Sequence, residues 1–434
     1  MTDITSPLTL PCDLTIPNRL AKAAMTEQLA GPDHAPSERH RTLYRRWAEG
    51  GIGLQITGNV QVDRHHLEHP QNVVLDAEPD EAQAAALKAW ADAAKTSGAK
   101  LIMQLSHAGR QTPKAVNPTP QAPSAIPVDL PGGQFGTPRA MTGGEIEAVI
   151  ARFATAARAA CASGFDGVQV HAAHGYLLSS FLNPRANQRT DEWGGSLENR
   201  ARLLLRTVEA VREAVPSSFA VSVKLNSADF QKGGLTEEDS ARVAGWLAER
   251  GVDLLEVSGG SYEQPAMMDM EGLEARHEAA KAESTKRREA YFLRFAEALR
   301  AKTTLPLMVT GGFRTRAGMN EALLSGATDL VGLARPLCVE PDLPRRLLAG
   351  EAEGVPSYEK RLALGPGPLG PASKIPLVRA LNGFGVMAFF YENIRRMADG
   401  EEPKESMTLL PAFLAGQVRT ARAAKALGPG RDAA

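Results

Sequence analysis

Two imidazoles and a phenol fall within one short run, His171-Ala-Ala-His174-Gly175-Tyr176. The run continues as Leu-Leu-Ser-Ser-Phe-Leu-Asn-Pro184 and then Asp191-Glu-Trp-Gly-Gly-Ser196-Leu-Glu-Asn-Arg200. An apolar stretch, Gly167-Val-Gln-Val170, precedes it and reads as a strand. Residues three apart on an ideal strand face opposite sides. His171 and His174 therefore converge only if the strand ends near Ala172 and the chain turns there, which the small Ala172, Ala173 and Gly175 permit. Two neighbouring imidazoles can donate hydrogen bonds to one oxygen. Tyr176 adds a weak acid able to protonate a carbanion. Two donors polarising a carbonyl beside a proton donor suit reduction of a conjugated C=C bond. Taken alone, the same residues also read as structural groups at a polar strand end.

Eight strand-like runs can position such a site: Arg19–Met25, Gly53–Val60, Lys100–Ser106, Gly167–Ala172, Ala220–Asn226, Leu254–Gly259, Leu305–Thr310 and Leu330–Ala334. Helical patterns lie between them at Ser37–Glu49, Glu78–Thr96, Thr142–Ser163, Leu197–Val215, Thr236–Arg250, Lys286–Ala301 and Arg316–Leu324. The alternation predicts a parallel (β/α)8 TIM barrel in residues 1–350. Thr142, Ser196 and Thr236 read as N-caps followed by acids, and Gly98, Gly164, Gly251 and Gly326 as C-terminal stops. Leu8–Ile16 is expected to form a hairpin under the barrel. Gln111–Pro138 and Ser261–Thr285 are long insertions after the third and sixth strands. The first reads as a lid on the catalytic face. The second reads equally as a substrate entry and as a solvated loop. Residues 351–434 form an extension with helical stretches at Ala380–Met397 and Ala412–Ala426. It reads either as an arm towards a neighbouring subunit or the barrel mouth, making a homo-oligomer, or as a tail packed on its own barrel.

Phosphate binding in barrels uses the loops after strands seven and eight. Gly311-Gly312 follows the seventh and would let backbone N–H groups approach an anion. Ala334-Arg335 follows the eighth and adds a guanidinium fork. Neither G-x-G-x-x-G after a strand nor a P-loop motif occurs. His65, His66 and His69 follow the second strand but have no evident fourth ligand, so they read as solvated loop histidines and no metal is expected.

The run 171–202 resembles the signature of the old yellow enzyme family, the FMN-dependent ene-reductases and NAD(P)H:flavin oxidoreductases. Weaker similarity spans about residues 8–350 and does not carry the extension. The resemblance implies bound FMN, transient NADH or NADPH, and a small electron-poor acceptor. His171 and His174 would hold the acceptor oxygen, and Tyr176 would supply the proton. Ala23, Ala24, Met25 and Thr26 would pass beside the flavin ring, with Thr26 bonding the O4 edge. Gly58 would allow close ring approach, Gln104 would bind the pyrimidine edge, and Gly311, Gly312, Ala334 and Arg335 would hold the phosphate. Lys224 stands where many relatives have Arg, and would keep a positive charge near flavin N1 without the bidentate fork. Larger relatives, such as the dienoyl-CoA reductases and trimethylamine dehydrogenase, carry a Cys-ligated cluster. Cys12, Cys161 and Cys338 are far apart and form no C-x-x-C, so the chain resembles the FMN-only branch.

Composition narrows the rivals. Forty-nine Lys and Arg against 50 Asp and Glu give no electrostatic case for nucleic acid or an anionic membrane. No apolar run approaches the roughly 20 residues that span a bilayer. The start, Met1-Thr-Asp-Ile-Thr-Ser-Pro, lacks a basic and apolar leader pattern, so a cytoplasmic protein is expected. Two alternatives stay open at this point. One is a flavin-independent barrel aldolase or isomerase using Lys224 as a Schiff-base amine. The other is a non-catalytic flavin-binding protein.

Overall fold

The computed structural model describes residues 2–130, 133–229, 232–259 and 295–427. Its strands, in chain order, are β1 (Leu8–Thr9), β2 (Thr15–Ile16), β3 (Leu20–Lys22), β4 (Leu54–Ile56), β5 (Val60–Gln61), β6 (Lys100–Ser106), β7 (Gln121–Ala122), β8 (Arg139–Ala140), β9 (Gly167–Ala172), β10 (Ala220–Asn226), β11 (Leu254–Ser258), β12 (Leu307–Thr310) and β13 (Leu330–Leu333). Eight of them pair in parallel in the order β4-β3-β13-β12-β11-β10-β9-β6, and a β4–β6 pairing closes the ring. This is the expected (β/α)8 barrel. Both faces of every barrel strand are buried, so the strands read as nearly unbroken apolar runs rather than alternating ones.

The described helices are where caps and periodicity put them, and residues 286–294 of the expected helix Lys286–Ala301 lie outside the described residues. Thr142 and Glu145 form a reciprocal capping box at the start of helix Gly143–Ala162, and Ser196 and Thr236 accept N–H groups of the first turns of theirs. Gly98, Gly164, Gly251 and Gly326 all have positive φ, as helix stops require. The hairpin β1–β2 lies at the N-terminal end of the strands. Leu8, Leu10, Cys12 and Ile16 pack there on Ala21, Leu54, Ile102, Ala220, Leu254, Met308 and Leu330, sealing the barrel bottom.

The expected second strand is broken in two, for a steric reason. Ile56 pairs with Ile102 and Val60 with Leu105, so one extra residue is accommodated on the β4–β5 side. Residues 25–27 cross over this bulge. A Cβ on Gly58 would lie 2.5 Å from the Met25 carbonyl oxygen and 2.7 Å from Thr26 Cα. The Gly58→Ala variant is therefore expected to lose about 1–3 kcal/mol through overpacking, seen as a lower urea midpoint with an unchanged m-value.

Residues 351–427 fold back on the barrel. Helices Pro376–Ala398 and Leu409–Ala426 pack on each other, and the first also packs on helix Glu38–Glu49. Phe389, Phe390, Ile394 and Met397 are buried there. Arg395 donates to the Gln28 carbonyl and to Gln71 Oε1, both at 2.9 Å, and His69 Nε2 lies 3.0 Å from Thr420 Oγ1. The extension therefore rests on the loops that follow β3 and β5. The insertion Ser261–Thr285 lies outside the described residues. Among the described residues, no helix is long and apolar enough to cross a membrane.

Candidate active site

His171 is the penultimate residue of β9, beside Lys224 of β10 in register, and Lys224 is beside Glu256 of β11. The strand ends at Ala172, and the chain turns through His174, whose φ is +64°. A left-handed backbone at a non-glycine residue costs about 1–3 kcal/mol, and here it returns His174 to the side of His171. The two rings meet edge to face with centroids 5.0 Å apart, and the Tyr176 ring meets His171 at 4.9 Å. The convergence expected from the spacing is thus realised through a strained turn.

The protonation of the two rings follows from their partners. His171 Nδ1 accepts the Ala173 N–H at 3.2 Å, so the proton of its neutral ring sits on Nε2. His174 Nε2 lies 2.8 Å from Ser258 Oγ, and its backbone N–H donates to Asn226 Oδ1 at 3.1 Å. With the serine donating, Nδ1 carries the His174 proton. Burial holds both imidazoles well below the ordinary range; His174 and Lys224 push His171 further down, and Lys224 does the same to His174. The site therefore holds neutral donors rather than imidazolium ions.

Tyr176 is 4% exposed, and its hydroxyl donates to Glu68 Oε2. Thr26 Oγ1 donates to the other oxygen of the same carboxyl. Thr26, expected at the flavin O4 edge, thus has its hydroxyl on Glu68 in this structure. Glu68 itself escaped the sequence reading. It lies in the run Asp63-Arg-His-His-Leu-Glu-His69, whose charges look solvated, and only folding withdraws Asp63 and part of Glu68 from solvent.

The same applies to the histidines of that run. His65 is exposed as expected, but His66 and His69 are buried, which corrects their reading as solvated. Among the described residues, Asp63, His66 and His107 place three ligand-type atoms within 4.8 Å of one another. Their tautomers argue against a cation at the centre. His66 Nε2 accepts the Gln121 N–H at 2.9 Å, and His107 Nδ1 accepts the Gly109 N–H at 3.1 Å. The facing nitrogens, 3.1 and 3.7 Å from Asp63 Oδ2, must then carry the protons. A metal-bound histidine needs the opposite arrangement, its outer N–H donated to an acceptor. Arg152 completes the shell around Asp63. Burial pushes that carboxyl up, but the donors His107 and His66 outweigh it and hold it well below the usual range. The cluster clamps the loop after β5 to the loop after β6.

The positions expected to hold a cofactor gather at the same end of the barrel. Lys224 Nζ is paired with Glu256 Oε1 at 3.0 Å, both buried. Glu256 also accepts from Thr310 Oγ1 at 2.7 Å and from Gln169 Nε2 at 3.0 Å, and Gln169 accepts from Gln104 Nε2 at 2.7 Å. Gln104 is thus part of a polar chain across the barrel, with its Nε2 committed. Gly58 N–H is committed to Glu27 Oε1 at 2.8 Å, and its missing Cβ makes room for the crossing of residues 25–27. Ala23 N–H extends the ladder to the Leu333 carbonyl at 2.8 Å, while Ala24 and Met25 follow, half-buried.

Gly311 and Gly312 both have φ of +89°, and a Cβ on Gly311 would enter open space. The Gly311 N–H is used by the Gly332 carbonyl at 3.2 Å, so Gly311 supplies conformation rather than a donor. Arg335, which follows Ala334 at the end of β13, lies 3.7 Å from Glu359, and Arg314 lies 3.2 Å from the same carboxyl. Two guanidiniums thus lie at one carboxylate at the strand ends that carry Gly311 and Gly312. These residues fit the phosphate of a mononucleotide. Arg314 was not singled out in the sequence, where an Arg two residues past the glycines carries no distinguishing pattern.

Comparison with known proteins agrees with this geometry. A family model described as the NADH:flavin oxidoreductase / NADH oxidase family matches residues 3–353. The chain is 41% identical over 356 residues to an NADH-dependent flavin oxidoreductase of Neonectria sp. (strain DH2), covering 78% of this chain and 46% of that one. It is 40% identical over 358 residues to an NADH-dependent flavin oxidoreductase of Hypocrea jecorina (strain QM6a), covering 79% and 88%. Among solved structures, the old yellow enzyme homologue from Zymomonas mobilis superposes with a TM-score of 0.67 at 26% identity, covering 81% of this chain and 94% of that one.

Proposed function

The chain belongs to the NADH:flavin oxidoreductase / NADH oxidase family, and on that premise we propose that it is an ene-reductase, reducing the activated C=C bond of small α,β-unsaturated carbonyl compounds. Membership makes FMN its bound cofactor and a nicotinamide nucleotide its reductant. When bound, FMN would supply the hydride-transfer chemistry between the nicotinamide and the acceptor.

The residues of the chain do the rest. Gly312, Arg314 and Arg335 would hold the phosphate, while Lys224 would set positive charge beneath the ring, in its pair with Glu256. Gln104 Oε1 would meet the pyrimidine edge, and the segment Ala23–Thr26 would flank the ring. His171 Nε2–H and His174 Nδ1–H would donate to the carbonyl oxygen and stabilise the developing enolate. Tyr176 would protonate the α-carbon. A single observation carries this reading: the buried His171 ring meets both the half-buried His174 ring and the Tyr176 phenol at the end of a barrel strand. Neutral rings are needed because an imidazolium would protonate the enolate oxygen or bind anions in place of the enone.

The Schiff-base alternative has little support, since Lys224 Nζ is engaged by Glu256 in a buried pair and an amine so held is not a free nucleophile. The test begins with the visible spectrum of the purified protein. A flavin band is expected that bleaches on anaerobic addition of NADH or NADPH and returns on addition of a cyclic enone. A colourless protein that cannot be reconstituted with FMN would overturn the proposal.

A further inference from the structure

The carboxyl of Glu68 bridges Thr26 Oγ1 and Tyr176 Oη. This poses a proton problem, because a phenol whose proton points at a carboxylate has none to give a substrate. Transfer of that proton elsewhere would also leave a phenolate against a carboxylate, two like charges in contact in a buried site. Both difficulties vanish if the carboxyl carries a proton and donates it to the tyrosine. We propose that Glu68 is the second proton donor of the site, passing its proton to Tyr176 Oη as Tyr176 Oη–H is transferred to the α-carbon. The inference rests on the ene-reductase reading above.

The step balances. The Tyr176 O–H bond breaks and a C–H bond forms at the α-carbon. The Glu68 O–H bond breaks and the Tyr176 O–H bond re-forms. Glu68, now ionised, is reprotonated by water before the next turnover. Electrons enter only as the hydride of the established flavin chemistry, so no further reductant is needed.

The surroundings of Glu68 favour the protonated form. Burial raises its pKa against the hydrogen bonds of Thr26, Tyr176, Asn59 and Asn72. Of these facing groups only Tyr176 titrates. Glu27, next to Thr26, is engaged elsewhere by Tyr44 and the Gly58 N–H. His69, next to Glu68, faces Thr420 across one ring nitrogen and accepts the Gln71 N–H at the other. The His171 ring meets the Tyr176 ring edge to face, and burial, with His174 and Lys224 beside it, holds it well below the ordinary imidazole range.

Two measurements on wild type, Glu68→Gln and Glu68→Asp test the proposal. The first is the infrared carboxyl C=O band of the resting protein, which needs no turnover. A protonated-carboxyl band should be present near neutral pH in wild type and absent from Glu68→Gln. Its absence from wild type would overturn the relay whatever the enzyme proves to reduce. The second is reoxidation of the reduced flavin by a weakly activated cyclic enone and by a quinone, followed in single turnovers against pH. The wild-type enone rate should fall as pH rises through the titration of the infrared band. Glu68→Gln should lower that rate by about 10²-fold, the lower end of what a positioned proton donor supplies, and make it flat over the same pH window. Glu68→Asp should restore part of the slope, and the quinone rate should stay unchanged in all three. An unaltered enone profile, or equal losses with enone and quinone, would mean that Glu68 only supports the fold. Failure of the bleaching experiment would instead sink the ene-reductase reading and leave the infrared result standing.

Discussion

Replacing Tyr176 by phenylalanine is expected to leave flavin binding and bleaching by the nicotinamide intact, and to slow reduction of a weakly activated enone by about 10²- to 10⁴-fold. The ring itself should stay in place. It is held by contact with His171 and by burial, and neither depends on the hydroxyl. What is lost is the phenol proton proposed for the α-carbon, placed against His171. The size of the effect should follow the acceptor. An enone develops a carbanion that must be protonated at carbon, whereas a quinone or nitro compound leaves its charge on oxygen and can take a proton from water. Stopped-flow reoxidation with each class separates the cases. Wild-type enone turnover in Tyr176→Phe would remove Tyr176 from the mechanism, and with it the reason for a proton on Glu68. Equal losses with every acceptor would point to a displaced His171 ring instead.

The difference between what the sequence disclosed and what it hid has a physical cause. Strands β6, β9 and β10 begin and end where the apolar runs do, because a barrel strand is buried on both faces and its limits are limits of composition. His171, His174 and Tyr176 were visible because one strand end carries all three. Glu68 meets the same phenol from 108 residues away in the chain, with strand β6 between their two strands. A barrel assembles its site from the ends of different strands, so a residue's partners are fixed by closure of the ring and not by spacing. Thr26, Glu68 and Tyr176 follow β3, β5 and β9, and nothing local marks them as a set. The histidines of the Asp63–His69 run were misjudged for the same reason. A charged loop looks solvated until a second loop and the C-terminal helices cover it, as the residues around His107 and Thr420 do here. Gly58 shows the converse. It was singled out as making room for a ring, yet the atoms its missing Cβ accommodates belong to the chain's own residues 25–27.

Burial of so many histidines has a consequence for stability that is expected to be large. Burial, with Arg39 beside it, pushes His40 down to about 3; burial and Arg395 push His69 to about 3; burial and His66 push His107 to about 4. His171 and His174 are lowered as well. Each fold-held ring refuses a proton that the same ring accepts in the unfolded chain near pH 6.5. The stability is therefore complete above about pH 6.5 and is lost as pH falls from there towards the folded values. At pH 4.5 His40, His69 and His107 have each cost about 3 kcal/mol, and these three together approach the whole stability of an ordinary domain, about 5–15 kcal/mol. Glu68 and Asp253, whose carboxyls are raised by burial, act in the opposite direction, but they are two groups against five. Asp63, held low by its donors, gives up its contribution only below the usual carboxylate range and so cannot delay the loss. Thermal unfolding followed by circular dichroism should show a midpoint nearly level from pH 8 to 7 and falling steeply between pH 6.5 and 4.5, with several protons taken up on unfolding. The His40→Gln variant keeps an acceptor for the Ser37 N–H that His40 Nδ1 receives at 3.0 Å, and should reduce that uptake by about one proton. A midpoint unchanged down to pH 5 would mean that these rings are hydrated and protonated within the fold. The neutral His171 and His174 on which the proposed carbonyl activation rests would then be lost as well.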